Sequence, residues 1–114
     1  DEPRFVAAKI VFDSGDIGIY QAIWNAPGPW GVAVTTQAKR WEMRPLEQAD
    51  FQLYGQRKLE SVASHEWDQE FKPGLRRQAE LAVRAAMGAA TPELPTLDEA
   101  LVSMRLAQAI YQVM

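Results

Sequence analysis

Apolar and polar residues alternate along the first half of the chain, and such alternation predicts β-strands. Residues 5–13 read F-V-A-A-K-I-V-F-D, and the alternation resumes over residues 17–25 after the turn S-G-D. Gly15 suits this turn because glycine adopts a positive φ at little cost. We therefore expect a β-hairpin. Further strands are predicted over residues 30–36, 40–46, 51–54 and, with weaker alternation, 59–67.

Both faces of the predicted hairpin are apolar. On the second strand, one face carries Tyr20 and Trp24, and the opposite face carries three isoleucines, Ile17, Ile19 and Ile23. A sheet with one solvated face alternates more cleanly than this. We therefore expect both faces of the hairpin to be covered.

After Pro73 the spacing of apolar residues changes to that of helices. Pro73 suits the first turn of a helix and Gly88 suits its C-terminal cap. A second helix is predicted over residues 97–113, and Thr96 and Glu99 form a T-x-x-E capping box at its start. Its apolar residues form two adjoining stripes, which is typical of a helix that packs on more than one side.

Strands followed by two helices predict a single α+β domain over residues 1–114. The expected architecture is an open, mostly antiparallel sheet of five to six strands, with the two C-terminal helices packed on one face. We expect the other face to be an oligomer interface, because exposed apolar patches mark interaction surfaces and aromatic residues are enriched there. Tyr20, Trp24 and Trp41 are the candidate interface residues. The alternative is that these rings lie in the core of one subunit.

Composition narrows the classes of partner. The net charge of −3 comes without a basic block, which argues against nucleic acid. No apolar segment approaches the roughly 20 residues that span a bilayer, so we expect no membrane insertion. The chain has no cysteine, which excludes disulfides and thiolate metal sites and fits a cytoplasmic location. Because it begins at Asp1 and enters a strand almost at once, we expect a fragment of a longer protein.

Three motifs carry a family resemblance. The first is S-G-D-I-G-I-Y-Q-A-I-W-N-A-P-G-P-W, followed by R-W-E-M-R-P-L; the second is F-K-P-G-L-R-R-Q-A-E; the third is P-T-L-D-E-A-L-V-S-M-R-L-A-Q-A-I-Y. In this order and spacing they resemble the C-terminal domain of the Gfo/Idh/MocA oxidoreductases, the glucose–fructose oxidoreductase and inositol dehydrogenase family. The resemblance covers about residues 5–112. None of the three motifs is catalytic.

The resemblance implies a parent protein with an N-terminal Rossmann domain that binds NAD or NADP and transfers hydride to or from a sugar, polyol or related substrate. This chain has neither G-x-G-x-x-G nor the family's E-K-P lysine. It would therefore be the substrate-cleft and oligomerisation domain, inactive alone, with its own Rossmann domain and further copies of itself as partners. We assign it no catalytic, cofactor-binding or metal-binding residue.

Two sequence features remain as site candidates. Asn25 offers a donor and an acceptor to a sugar hydroxyl, and Trp30 offers a ring to a sugar face, so we expect this loop to approach the substrate cleft. The alternative is a structured loop whose Trp30 packs on the sheet. His65 and Asp68 have H-x-x-D spacing, but a lone histidine makes a weak metal site, and we interpret it as a surface or strand-end residue.

The sequence also allows a different class of function. The alternative is a free-standing dimeric α+β module that binds a small ligand or a partner without catalysis. An independent hydrolase is poorly supported, because no serine lies in a nucleophile-elbow context. The coding sequence upstream of Asp1 separates the first two possibilities, since only the oxidoreductase requires a strand followed by G-x-G-x-x-G.

Overall fold

The computed structural model describes residues 5–28 and 30–111 and confirms an α+β fold with open antiparallel sheets. The strands come first along the chain and the helices follow. The strands are β1 (Phe5–Val11), β2 (Ile17–Ile23), β3 (Val32–Thr35), β4 (Lys39–Met43), β5 (Asp50–Leu53) and β6 (Glu60–Ser61). The helices are α1 (Glu66–Glu70), α2 (Leu75–Ala86) and α3 (Leu97–Tyr111). The predicted end of the last helix at Val113 lies outside the described residues.

The chain divides into two compact units. The first comprises Asp1–Gly28 with Pro95–Met114, and the second comprises Pro29–Leu94. Within residues 5–28 and 30–111, six strands are divided between two sheets, where the sequence predicted one. β1 and β2 form a two-stranded sheet in the first unit, and β3-β4-β5-β6 form a four-stranded sheet in the second. The interpretation of residues 1–114 as a single domain stays a prediction.

The β1–β2 hairpin forms as its turn residues predict. The backbone N–H of Phe12 donates to the carbonyl of Asp16 at 3.0 Å, and that of Gly15 donates back to Phe12 at 2.9 Å. Gly15 has a φ of 87°, which a residue with a side chain rarely adopts. A Cβ at Gly18 would lie 3.2 Å from the ring of Phe12, which is tighter than an ordinary van der Waals contact.

Helix α3 packs against β1 and begins at the predicted capping box. The backbone N–H of Thr96 donates to a Glu99 carboxylate oxygen at 2.7 Å, and the N–H of Glu99 donates to the Thr96 hydroxyl at 3.3 Å. Such reciprocal bonds satisfy backbone donors that a helix start otherwise leaves unpaired. The side chains of Ala107, Ile110 and Tyr111 are half-buried, and most other apolar side chains of α3 are exposed.

The four-stranded sheet is an antiparallel meander. The turn between β3 and β4 is closed by Thr36, whose backbone N–H donates to the Lys39 carbonyl at 2.8 Å. Its hydroxyl accepts from the Lys39 N–H at 3.1 Å. In the register of β4 and β5, Trp41 lies opposite Phe51 and Arg40 lies opposite Gln52. Lys39 and Trp41 therefore share one face of β4, and Arg40 lies on the other.

The predicted strand over residues 59–67 is mostly wrong, because only Glu60–Ser61 pair with β5. Residue His65 begins α1 by accepting the backbone N–H of Trp67 at 3.2 Å. Helix α2 follows and packs against α1. Leu81 on α2 is 7% exposed and is the one buried apolar side chain among the described residues.

Candidate functional site

The hairpin has one face that α3 contacts and one that it leaves open. Burial alternates strictly along both strands, and the exposed residues of one strand pair with those of the other. We call the exposed set the outward face: Phe5, Ala7, Lys9, Val11, Ile17, Ile19, Gln21 and Ile23. Its large apolar side chains are between 57% and 69% exposed, and Lys9 is its one charged residue.

The opposite face meets α3 through three aromatic residues. The hydroxyls of Tyr20 and Tyr111 form a hydrogen bond, and their rings lie edge to face with centroids 6.0 Å apart. Trp24 also contacts Tyr111, at a centroid distance of 5.6 Å. The hydrogen bond from Tyr20 raises the pKa of Tyr111, because it favours the protonated phenol. Through these contacts the last turn of α3 packs against Tyr20 on β2 and against Trp24, which follows β2.

The third candidate for an oligomer interface, Trp41, belongs to the second unit. Its ring lies 5.2 Å from that of Phe51, and the Lys39 ammonium lies 4.6 Å and 4.1 Å from the two ring centroids. Both rings are half-buried. The structure thus brings Tyr20 and Trp24 together through Tyr111 and places Trp41 in a separate cluster. The assignment of these three residues to an oligomer interface stays a prediction.

The two substrate-cleft candidates lie at either end of the loop between β2 and β3. Asn25 has a φ of 58°, a left-handed conformation that asparagine tolerates better than most residues. Trp30 is 81% exposed, so both faces of its indole are largely accessible. This exposure disagrees with the alternative in which Trp30 packs on the sheet. The two residues belong to different units.

His65 and Asp68 have structural partners. His65 Nδ1 accepts from the Trp67 N–H, as described, and its ring lies 4.8 Å from the Trp67 indole. An Asp68 carboxylate oxygen accepts the backbone N–H of Gly74 at 2.8 Å, which connects α1 to the start of α2. Across residues 5–28 and 30–111, no three histidine or carboxylate side chains converge on a metal site. These contacts support a structural role for the H-x-x-D spacing.

The arginines of α2 are exposed. Arg76 lies over the rings of Trp67 and Phe71, with its guanidinium carbon 5.3 Å and 5.1 Å from their centroids. Arg77 forms an ion pair with Glu93 at 3.5 Å. Because these groups are exposed, their contacts add little to the stability of the helix.

Sequence reasoning did not find a groove in the second unit. It has a volume of about 240 Å³ and lies where the β3–β4 turn meets the residues that follow β5. Lys39, Arg40, Gln52 and Tyr54 are among the residues that line it. The pairing of Arg40 with Gln52 brings two of the lining residues together, and it depends on a strand register that alternation alone does not give.

Comparison with known proteins leaves the family open. No protein-family model, no curated protein and no solved structure matches this chain. None of the helices within the described ranges combines the length and the apolar character that crossing a membrane requires.

Proposed function

We propose that this chain is the oligomerisation and substrate-cleft domain of an NAD(P)-dependent oxidoreductase that acts on a sugar, polyol or related compound. The oxidoreductase part of the proposal rests on the resemblance of its three motifs to the Gfo/Idh/MocA family. The observation that carries the oligomerisation part is the outward face of the hairpin. The domain itself contributes binding surfaces and no catalytic group.

The outward face supports association because of what it exposes. Two adjacent strands present Phe5, Val11, Ile17, Ile19 and Ile23 to solvent on one side of a regular sheet. Burial of apolar surface contributes about 25 cal/mol per Å², so a partner that covers this face gains free energy from each of these side chains.

We assign this surface to a second copy of the chain. Most homodimers have two-fold symmetry, in which the same surface patch of each subunit meets its counterpart. Lys9 does not oppose such pairing, because the aliphatic part of a lysine side chain lies along apolar surface while its ammonium reaches water. The same face in a permanent monomer would be an aggregation hazard.

The substrate-cleft part of the proposal rests on Asn25 and Trp30. The exposed indole of Trp30 supports it, because an accessible aromatic face suits stacking on a sugar ring. In the parent enzyme, Asn25→Ala should raise the KM for substrate far more than the KM for cofactor. Unchanged kinetics would remove this loop from the site.

Light scattering coupled to size exclusion tests the oligomer. We expect a dimer for the chain and a monomer for Ile19→Lys, which places a charge in the middle of the outward face. Val83→Lys is the matched control, because Val83 is 60% exposed on α2 and outside the hairpin. A strict monomer at high concentration would contradict the proposal, as would dissociation by Val83→Lys alone.

The cofactor half of the proposal has its own test. Without a Rossmann domain the chain should bind no NAD(H), and micromolar binding in a calorimeter would contradict the assignment. The coding sequence before Asp1 should encode a strand followed by G-x-G-x-x-G. A different upstream sequence would favour the free-standing binding module.

A further inference from the structure

The turn of the β1–β2 hairpin sets the hydrogen-bonding pattern of its backbone. The N–H of Phe12 donates to the carbonyl of Asp16, so these two residues are a hydrogen-bonded pair. Bonded and non-bonded pairs alternate along an antiparallel ladder, and the next pair, Val11 and Ile17, is therefore non-bonded. In each non-bonded pair, the N–H and C=O groups are directed away from the other strand of the hairpin.

On β2, the residues of the non-bonded pairs have their backbone N–H and C=O groups at the outer edge of the strand. We call these backbone groups the free edge of β2; they belong to Ile17, Ile19, Gln21 and Ile23. Outside the β1–β2 ladder, no backbone hydrogen bond within residues 5–28 and 30–111 involves these residues. A row of unpaired donors and acceptors at the edge of a sheet is a template for a further strand.

The two edges of the hairpin differ in how they are protected. β1 carries Lys9, and a two-fold pairing of β1 with itself would place two Lys9 ammoniums on one face of neighbouring strands. β2 contains no charged residue and no proline, the residues that commonly protect an edge. The backbone of α3 approaches β1 and not β2. The edge of β2 is therefore the more open of the two.

The length and sequence of β2 suit antiparallel pairing with an identical strand. A two-fold axis at Tyr20, the middle residue, pairs all seven residues of β2 with those of a second copy. It places Ile17 opposite Ile23 and Ile19 opposite Gln21. All four residues belong to the free edge, so their donors and acceptors meet those of the second copy.

The residues between them do not obstruct this pairing. Gly18 lies opposite Ala22 in a non-bonded pair, where side chains of neighbouring strands come closest, and both residues are small. Because α3 approaches β1, the two copies of α3 lie over the outer strands of the joined sheet. The strands that meet at the axis are therefore free to approach each other.

We propose that β2 pairs edge to edge with β2 of a second copy, which joins the two hairpins into one antiparallel sheet. The occupant is a second copy because two-fold symmetry brings the same row of donors and acceptors to the edge in the reverse direction. The outward faces then lie on the same side of the joined sheet, and their side chains stay available for the contact proposed above.

This edge contact adds to the proposed oligomerisation, and only the size of the final assembly rests on that proposed function. Hydrogen bonds between the copies replace hydrogen bonds to water, so they contribute less to association than burial of the outward face. We therefore expect the outward-face dimer to form first. Edge pairing then joins two dimers into a tetramer as the protein concentration rises.

Proline substitutions test the edge, because proline has no backbone N–H. Gln21→Pro removes a donor from the free edge of β2. Ala7→Pro is the matched control, since Ala7 lies directly opposite Gln21 and directs its N–H to the outer edge of β1. Neither N–H belongs to the β1–β2 ladder, and edge strands tolerate proline at such positions.

Sedimentation velocity over a concentration series measures the assembly of each chain. The unsubstituted chain and Ala7→Pro should pass from dimer to tetramer, and Gln21→Pro should remain a dimer. A tetramer that survives Gln21→Pro would overturn the proposal, and so would a tetramer that Ala7→Pro removes as completely.

Hydrogen exchange of the unsubstituted chain measures the pairing directly. As the concentration rises, the four amides of the free edge should exchange about tenfold or more slowly, and the outward amides of β1 should not change. If the outward face is not an interface, the chain should still form a dimer with these four amides protected, and Gln21→Pro should dissociate it. If the chain forms a dimer that Ile19→Lys dissociates but the four amides stay unprotected, the outward face is an interface and edge pairing is wrong.

Discussion

The hydroxyl of Tyr20 on β2 is hydrogen-bonded to the hydroxyl of Tyr111 in the last turn of α3. The two residues are 91 positions apart in the sequence. The bond therefore joins the two chain segments, residues 1–28 and 95–114, that make up the first unit. Trp24 packs against the same tyrosine ring. Aromatic contacts and one hydrogen bond between hydroxyls therefore fix where α3 packs on the hairpin.

Replacing Tyr20 should change how Tyr111 titrates. The hydrogen bond raises the pKa of Tyr111, and Tyr20→Phe removes that bond, so the pKa should fall toward that of an ordinary tyrosine. Ultraviolet absorbance of tyrosinate measures the change. Tyr54→Phe is the control, since it removes an exposed tyrosine away from this bond and should leave the pKa of Tyr111 raised.

The same bond predicts a dependence of stability on alkaline pH. Because the folded pKa of Tyr111 is raised, its contribution is complete below the ordinary tyrosine pKa and is lost as pH rises through the raised pKa. Denaturant midpoints measured across this window should fall more steeply for the wild type than for Tyr20→Phe. Identical slopes would show that the hydrogen bond does not form in solution.

The start of α3 should respond to acid. The backbone N–H of Thr96, and then its hydroxyl, donate to the Glu99 carboxylate and hold the pKa of Glu99 below its ordinary value. The folded pKa is lowered, so the contribution is present above the ordinary glutamate pKa and is lost as pH falls through the lowered one. Circular dichroism during an acid titration should show this loss of helix.

A conservative variant isolates that effect. Glu99→Gln keeps a side chain that suits a capping box but does not titrate, so the acid-dependent component should disappear. Glu80→Gln on α2 removes an equivalent charge away from the cap and should leave the component unchanged. If the wild type and Glu99→Gln lose helix identically in acid, the Glu99 carboxylate does not stabilise the start of α3.

The local features of this fold could be predicted because they depend on neighbouring residues. The alternation of residues over β1 and β2 predicts which residues share a face of the hairpin. The turn around Gly15 predicts the connection between the two strands. The capping box at Thr96 and Glu99 predicts a helix that begins next to Thr96, and α3 begins at Leu97. Each of these depends on residues at most four apart, and such patterns are written directly in the sequence.

The missed features depend on contacts between distant segments. Alternation predicts strands but not which strands share a sheet, so the division of six strands into two sheets could not be foreseen. The predicted strand over residues 59–67 includes His65, yet the ring nitrogen of His65 caps α1, and histidine is not among the preferred N-cap residues. Predicting the groove requires the strand register that pairs Arg40 with Gln52. Predicting the partner of Tyr20 requires the position of α3.

Gly74 should not tolerate a side chain. It begins α2 with a φ of 80° and donates its N–H to Asp68. Gly74→Ala should cost about 1–2 kcal/mol, because a left-handed backbone brings Cβ too close to the following carbonyl. Gly28→Ala is the matched control: both positions are open around the added Cβ, but Gly28 has no left-handed φ. Urea unfolding should show a clear loss for the first variant and none for the second.

Leu81 should be the most sensitive apolar residue of α2. Truncation of a buried leucine to alanine removes favourable burial and leaves a cavity, and Leu81→Ala should cost about 2–3 kcal/mol. The matched control is Val83→Ala on the same helix, where the side chain is 60% exposed and the expected change is below about 0.5 kcal/mol. Urea unfolding followed by tryptophan fluorescence measures both. Equal losses would mean that Leu81 is no better covered than its neighbours, because the transfer and cavity contributions scale with how completely the side chain is enclosed.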